Sequence, residues 1–261
     1  MTDGAGYRHI VRLERIGMAF GKVVALRDVT LEVGRDEIVG LIGDNGAGKS
    51  TLIKIMTGVL RPTSGRLFVR DEEVSFDRWS VRRARELGIE TVYQERSLGE
   101  KQPLWRNFFV GRQITNRFGF INVKKEREIA DRILKQEIGF RGVGISADSP
   151  VAKLSGGERQ GVAIGRAMHF EKDVIVLDEP TVALAIKEVR KVLDFVRNIK
   201  AQGKACVYIE HNLAHVHELA DRLIVIDRGR IVGEFRQGEI TLADLTGFLI
   251  DLQHAKAQGV A

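Results

Sequence analysis

The sequence predicts an α/β protein built on a mostly parallel sheet, and three observations predict it. Glu37-Ile38-Val39-Gly40-Leu41-Ile42 is an apolar, β-branched run that leads into a glycine-rich stretch and then into an amphipathic segment, Leu52-Ile53-Lys54-Ile55-Met56. Val174-Ile175-Val176-Leu177 is a second apolar run, closed by Asp178-Glu179 and followed by a helical pattern from Lys187 to Lys200. Further strand-like and helix-like segments alternate, as they do where helices cover a parallel sheet.

Taken in order, His9-Ile10-Val11-Arg12-Leu13 and Val23 to Val29 alternate like antiparallel strands, so an antiparallel β subdomain precedes the parallel core. Pro62-Thr63-Ser64-Gly65 is a turn into the strand Arg66-Leu67-Phe68-Val69. Ile89 to Tyr93 is another strand. From Gln94 to about Val151 the strand pattern fades, leaving a helix around Lys124 to Ile138 between loops rich in Gly, Asn and Arg. This stretch reads as a mostly helical insertion. A strand at Ala205 to Ile209 precedes a short helix at Leu213 to Leu219. Leu223–Ile226 and Ile231–Phe235 form a hairpin across Asp227-Arg228-Gly229-Arg230, and Thr241 caps a last helix ending near Leu252.

The bulk numbers bound the class. Hydrophobic residues make up 44% and charged residues 29% of 261, an ordinary globular balance with enough chain for a sizeable core. No apolar run approaches the ~20 residues a membrane helix needs, and Met1 to Gly6 lacks the apolar core of a signal peptide. A cytoplasmic protein is expected. The single cysteine, Cys206, has no partner for an internal disulfide and sits in an apolar strand. The net charge of +6 suits nucleic acid, an anionic membrane surface or a nucleotide. Its basic residues are spread along the chain without a nucleic-acid-reading motif, so solvated faces account for them and no nucleic acid partner is expected.

Gly43-Asp44-Asn45-Gly46-Ala47-Gly48-Lys49-Ser50-Thr51 fits the pattern G-x-x-x-x-G-K-[ST]. Glycines let backbone N–H groups turn inward towards an anion, and the following helix points its positive end at the same place. Lys49 would reach the β and γ phosphates of a nucleotide, and the Ser50 hydroxyl would ligate Mg²⁺. Asp178 and Glu179 emerge at the carboxyl end of a buried strand, where ligands of parallel sheets sit. Asp178 is suited to hold Mg²⁺ through its hydration shell, and Glu179 to orient a water in line with the γ-phosphate.

Leu154-Ser155-Gly156-Gly157-Glu158-Arg159-Gln160 adds a second anion-binding helix start, with Ser155 as cap of a helix running to about Met168. With this stretch the sequence resembles the ATP-binding cassette family, whose signature is L-S-G-G-x-x-Q. The resemblance runs from about His9 to Leu252. It implies a P-loop NTPase cassette: a nucleotide-binding core at about 9–93 and 152–240, a helical subdomain at 94–151 plus the helix after the signature, and a C-terminal helix and tail at 241–261. It implies ATP hydrolysis with Mg²⁺ in a head-to-tail dimer, each ATP held by one subunit's phosphate loop and the other's signature. Phe20 matches the aromatic that stacks on adenine, with a core strand residue as its other reading. Gln94 matches the glutamine that senses Mg²⁺ and the attacking water, and His211 the switch histidine at the γ-phosphate. His211, His215 and His217 also raise a metal site, which lacks a carboxylate or Cys partner nearby. One departure stands out: after Glu179-Pro180-Thr181 the family usually reads on to Ala-Leu-Asp, and here Ala185 takes the place of the Asp. That puts coupling between the two ATP sites in doubt.

Within the family, Arg106 to Gly111, Ala183 to Val189 and His211-Asn212-Leu213 are similar to cassettes of bacterial importers for simple sugars such as ribose, galactose, xylose or fructose. The resemblance implies monosaccharide uptake by a cassette on the cytoplasmic face of the cell membrane, with a transmembrane permease and an extracytoplasmic sugar-binding protein. Such importers often carry two fused cassettes. This chain has one, so a homodimer or pairing with another cassette is expected. Trp105, Phe108 and Phe109 are candidates for the groove that docks the permease, or else the core of the helical subdomain. The rival function is a soluble ATPase of the same type acting on nucleic acid or ribosomes.

Overall fold

Alternation of buried and exposed side chains builds the first layer. In the computed structural model, which describes residues 8–92, 98–138, 144–170, 172–182 and 184–257, β1 (His9–Phe20) pairs antiparallel with β2 (Val23–Gly34) and with β4 (Ser64–Val69), and β5 (Glu72–Val74) completes a four-stranded sheet in the order β2-β1-β4-β5. Leu13, Ile16, Val29 and Leu67 turn one face of this sheet inward. The solvent face carries ion pairs such as Arg66 with Glu73 at 2.6 Å.

Continuously apolar strands build the second layer. β3 (Ile38–Ile42) and β8 (Ala205–Ile209) are buried at every position, as strands covered on both faces must be. The six-stranded sheet runs β10-β9-β3-β8-β7-β6, with β6 at Ile89–Val92, β7 at Val174–Asp178, β9 at Arg222–Asp227 and β10 at Arg230–Arg236. β9, β3, β8 and β7 are parallel, and β10 closes the hairpin expected from the sequence. Cys206 lies fully buried here, and burial pushes its thiol pKa up. Helix α1 (Lys49–Met56) contributes Leu52, Ile53, Ile55 and Met56 to the core shared by the two sheets.

The chain divides into two units. The first comprises 1–91, 172–179 and 196–261; the second comprises 92–171 and 180–195. The first unit holds both sheets with α1, α2 (Val81–Glu86), α7 (Leu213–Leu219) and α8 (Leu242–Ala257). Helix α8 continues five residues beyond the end anticipated near Leu252, since nothing after Thr241 breaks the helix until the last residues. The second unit holds α3 (Leu104–Phe109), α4 (Val123–Arg132), which runs into a π-turn at Ile133–Glu137, and α5 (Gly156–His169). α6 (Ile186–Ala201) starts in the second unit and ends in the first. Residues 152–155 and 180–195 thus group with the helical part, where the sequence reading puts them in the core.

The second unit has its own apolar centre, and it decides between two readings left open by the sequence. Trp105, Phe108 and Phe109 are buried among Leu104, Ala130, Leu134 and Val162, so they are core and not an open docking groove. The apolar side chains left exposed in this unit include Val110, Phe118, Phe120 and Ile121.

Candidate functional site

The parallel register decides where the polar residues gather. Leu41 of β3 pairs with Ile209 of β8, and Ile209 pairs with Asp178 of β7. The loops after these three strands therefore leave one edge of the sheet. With neighbouring strands ~4.8 Å apart, the ends of β3 and β7 lie roughly 10 Å from each other. That is the span of a triphosphate chain with its cation.

The loop after β3 turns as its glycines require. Gly48, the N-cap of α1, has φ 112°, a left-handed conformation, and a Cβ there would meet the Ala25 carbonyl oxygen at 2.9 Å. The side chain of Lys49 is 6% exposed; its Nζ donates to the carbonyl oxygens of Gly43 at 2.6 Å and Asp44 at 3.0 Å. Burial lowers the pKa of this ammonium, and the carboxylates of Glu179, Asp44 and Asp178 pull it back up. Asp44, Asn45, Gly46 and Ser50 are exposed, and a cavity of 150 Å³ opens over this loop against Ala25 and Glu179.

The loop after β7 carries the two carboxylates. Burial, then the neighbouring Glu179, raises the Asp178 pKa from its ordinary value, against the pull of Lys49, Lys54 and His211. Glu179 has φ 50°, uncommon for a residue with a side chain. Its amide donates to Ile209 O at 2.9 Å. This strained turn aims the carboxylate at the loop after β8, where Glu179 Oε1 lies 2.6 Å from His211 Nε2. The His211 amide in turn donates to Oε1 of Glu210, whose side chain is buried.

This edge fits a hard divalent cation. It offers an exposed hydroxyl at Ser50 and a carboxylate at Asp178 that burial leaves under-compensated. Among the described residues no three His, Cys, Asp or Glu side chains cluster as ligands. Phe20 ends β1 with 48% of its surface exposed, so it is not a core residue. Gln94 lies outside the described residues.

The signature stretch is built in the second unit. Ser155 caps α5 through a complete capping box: its Oγ accepts from the Glu158 amide at 3.2 Å, and Glu158 Oε2 accepts from the Ser155 amide at 2.8 Å. Ser155 and Gly156 face solvent. Ala185 is exposed as well and precedes α6.

Two partners escape the motif reading. Gln253 of α8 donates to Asp44 Oδ1 of the phosphate loop at 3.1 Å, across 209 residues. Glu188 of α6 reaches both Ser155 and Ala185. Neither sits in a recognisable pattern; only the fold brings them to the site.

Comparison with known proteins agrees with this geometry. The ABC transporter family model matches residues 26–182. A xylose/arabinose import ATP-binding protein of Sulfolobus acidocaldarius is 40% identical over 238 residues, covering 91% of this chain and 92% of its own length. A ribose import ATP-binding protein of Rubrobacter xylanophilus is 35% identical over 92% of this chain, which spans 47% of that relative's length. Among solved structures, an ATP-binding cassette of an ABC transporter in its ADP conformation superposes with a TM-score of 0.77 at 28% identity, covering 94% of this chain and 98% of that one. With the phosphate loop, the paired carboxylates and the signature on one chain, and matches across nearly its whole length, this protein belongs to the ABC transporter family as an ATPase cassette.

Proposed function

We propose that this chain is the ATP-hydrolysing subunit of a membrane importer that takes up a monosaccharide. The observation that carries the reading is the shared sheet edge: Lys49, Asp178, Glu179 and His211 follow three register-matched parallel strands. Relatives named for import of xylose/arabinose and of ribose support a monosaccharide as cargo.

In this reading the backbone amides of Gly43 to Thr51 cradle the phosphates, and Lys49 exchanges its contacts with the Gly43 and Asp44 carbonyls for β and γ phosphate oxygens. Ser50 and Asp178 would hold Mg²⁺, which neutralises charge on the phosphates. Glu179 orients the attacking water and polarises it as a base. His211, already 2.6 Å from that carboxylate, holds its orientation and meets the γ-phosphate. Phe20 offers its exposed ring to the adenine, and Gln94 serves the cation and water. Ser155, Gly156 and Gly157 of one copy grip the nucleotide of a second copy. ATP binding then closes a dimer and hydrolysis reopens it, a two-state change that drives the permease. No helix among the described residues is long and apolar enough to cross a membrane. In this reading the chain acts from the cytoplasmic face on a transmembrane permease, served by an extracytoplasmic sugar-binding protein, as the relatives named for sugar import suggest.

The test is recovery from the native host. A tagged chain, purified from membranes in mild detergent, is expected to bring down a multi-spanning permease with a sugar-binding protein. Recovery only from the soluble fraction, with ribosomes or nucleic acid, would overturn the importer reading.

A further inference from the structure

The signature is already occupied by an anion from its own chain. Glu188, in the first turn of α6, accepts a hydrogen bond from Ser155 Oγ to Oε1 at 3.0 Å and one from the Ala185 amide to Oε2 at 3.1 Å. Its side chain lies directly over Gly157. A Cβ at that glycine would fall 2.5 to 2.6 Å from Cδ, Cγ and Cβ of Glu188, so only glycine admits the carboxylate there. Hydrogen bonds from Ala185 and Ser155, and a lesser one from the Gly157 amide, hold the Glu188 pKa below its ordinary value. All of these groups belong to the second unit.

Of the donors that Glu188 uses, the Ser155 hydroxyl is one that a phosphate at the signature would need. Ser155 Oγ carries one proton, and it points at Glu188. The N-terminus of α5 already carries the Glu158 carboxylate of its capping box beside Glu188, and the anions at one helix start repel any further one. The Ala185 amide, at the position where the usual Asp is replaced, is held by the same carboxylate. Glu188 thus ties the signature to the segment that follows Glu179.

We infer that Glu188 is a resident competitor for the signature, an internal carboxylate that the γ-phosphate of an ATP on a second copy must displace before the dimer closes. This rests on the proposed function, in which the signature grips the nucleotide of a second copy. When ATP arrives, Ser155 turns its proton to the phosphate, and Glu188 swings to solvent and gives up the Ala185 amide. The displacement sets a threshold. Closure then requires ATP at a higher concentration than an unobstructed signature would, and release of Glu188 loosens the Ala185 segment at the moment of closure.

The experiment measures ATP-driven dimerisation of the full chain by sedimentation. The background is Glu179→Gln, which blocks hydrolysis, with and without Glu188→Ala or Glu188→Gln. Losing the competitor is expected to lower the ATP concentration at half-dimerisation roughly tenfold for Glu188→Ala, the worth of a hydrogen bond to a charged group. Glu188→Gln is expected to have a smaller effect of the same sign. A cooperative melt of each variant confirms the fold. Glu188→Ala also removes a helix-start contact and lowers the melting temperature, so a merely structural residue would weaken the dimer. Dimerisation in the parent that is unchanged or weakened by both Glu188 variants overturns this inference alone. A parent and variants that stay monomeric with ATP and Mg²⁺ overturn the proposed function, and this inference with it.

Discussion

Asp178 shows how a functional residue can act against the stability of its own fold. Burial and the Glu179 carboxylate both raise its pKa. The native state therefore binds its proton more tightly than the unfolded chain does, and the charge destabilises the nucleotide-free fold at neutral pH. Stability from this group is complete below its unfolded pKa and is lost as pH rises through the raised native value. Asp178→Asn removes the charge at constant shape. It is expected to raise the melting temperature of the nucleotide-free protein at pH 7. The gain should vanish as the pH falls through the carboxylate range, where the wild type takes up its proton. The same substitution is expected to abolish Mg²⁺-dependent phosphate release. Differential scanning fluorimetry across pH, beside a phosphate assay, measures both. A variant less stable than wild type at pH 7 would mean that Asp178 is held by contacts worth more than its desolvation.

At the scale of elements, α1 is short for the demand placed on it. Eight residues give only two turns, and an isolated helix of that length is unstable in water. Its N-terminus must stay open to phosphate, so its anchorage comes from the buried face and the far end. There the indole Nε1 of Trp79, 1% exposed, donates to the Ile55 carbonyl at 2.7 Å. Trp79→Phe keeps most of the packing and leaves that carbonyl with the Gly58 amide alone, at 3.1 Å. A loss of about 0.5–1.5 kcal/mol, the net worth of one hydrogen bond, is expected in a denaturant melt, with weaker nucleotide binding following from a less rigid α1. A melt within experimental error of wild type would show that the Gly58 amide alone satisfies the carbonyl and that the indole adds nothing to the anchorage. Trp79 also illustrates what sequence can carry. The strand, loop and helix around Gly43 to Met56 were legible because glycine spacing and apolar periodicity are local properties. The same locality made β3, β7, β8 and the β9–β10 hairpin readable. Trp79, Gln253 and the contact of Glu188 with Ser155 were not legible, because these pairs lie 24, 209 and 33 residues apart and no spacing rule links them. Trp105, Phe108 and Phe109 were open to two readings because aromatic residues suit a core and a docking groove alike; burial decides for the core.

At the scale of the whole molecule, the two helix starts proposed to bind phosphate fall one in each of the chain's units. If each ATP is gripped by the phosphate loop of one copy and the signature of another, two differently damaged copies must repair each other. Lys49→Ala spoils the phosphate loop and leaves the signature intact. Ser155→Arg spoils the signature and leaves the phosphate loop intact. Each variant alone is expected to be inactive. In a heterodimer, one composite site joins the Ser155→Arg copy's phosphate loop to the Lys49→Ala copy's signature, and the other site is damaged on both sides. Random pairing at equal amounts makes half the dimers mixed, each with one working site of two, so roughly a quarter of the wild-type rate should return if the sites hydrolyse independently. Ala185 favours that independence, because the carboxylate that usually stands at its position is missing from both copies. A rate that stays at the level of the separate variants, while sedimentation shows mixed dimers forming, would place both halves of the site within one copy or make each site depend on the other. A rate near a quarter would establish both the composite site and the loose coupling that Ala185 implies.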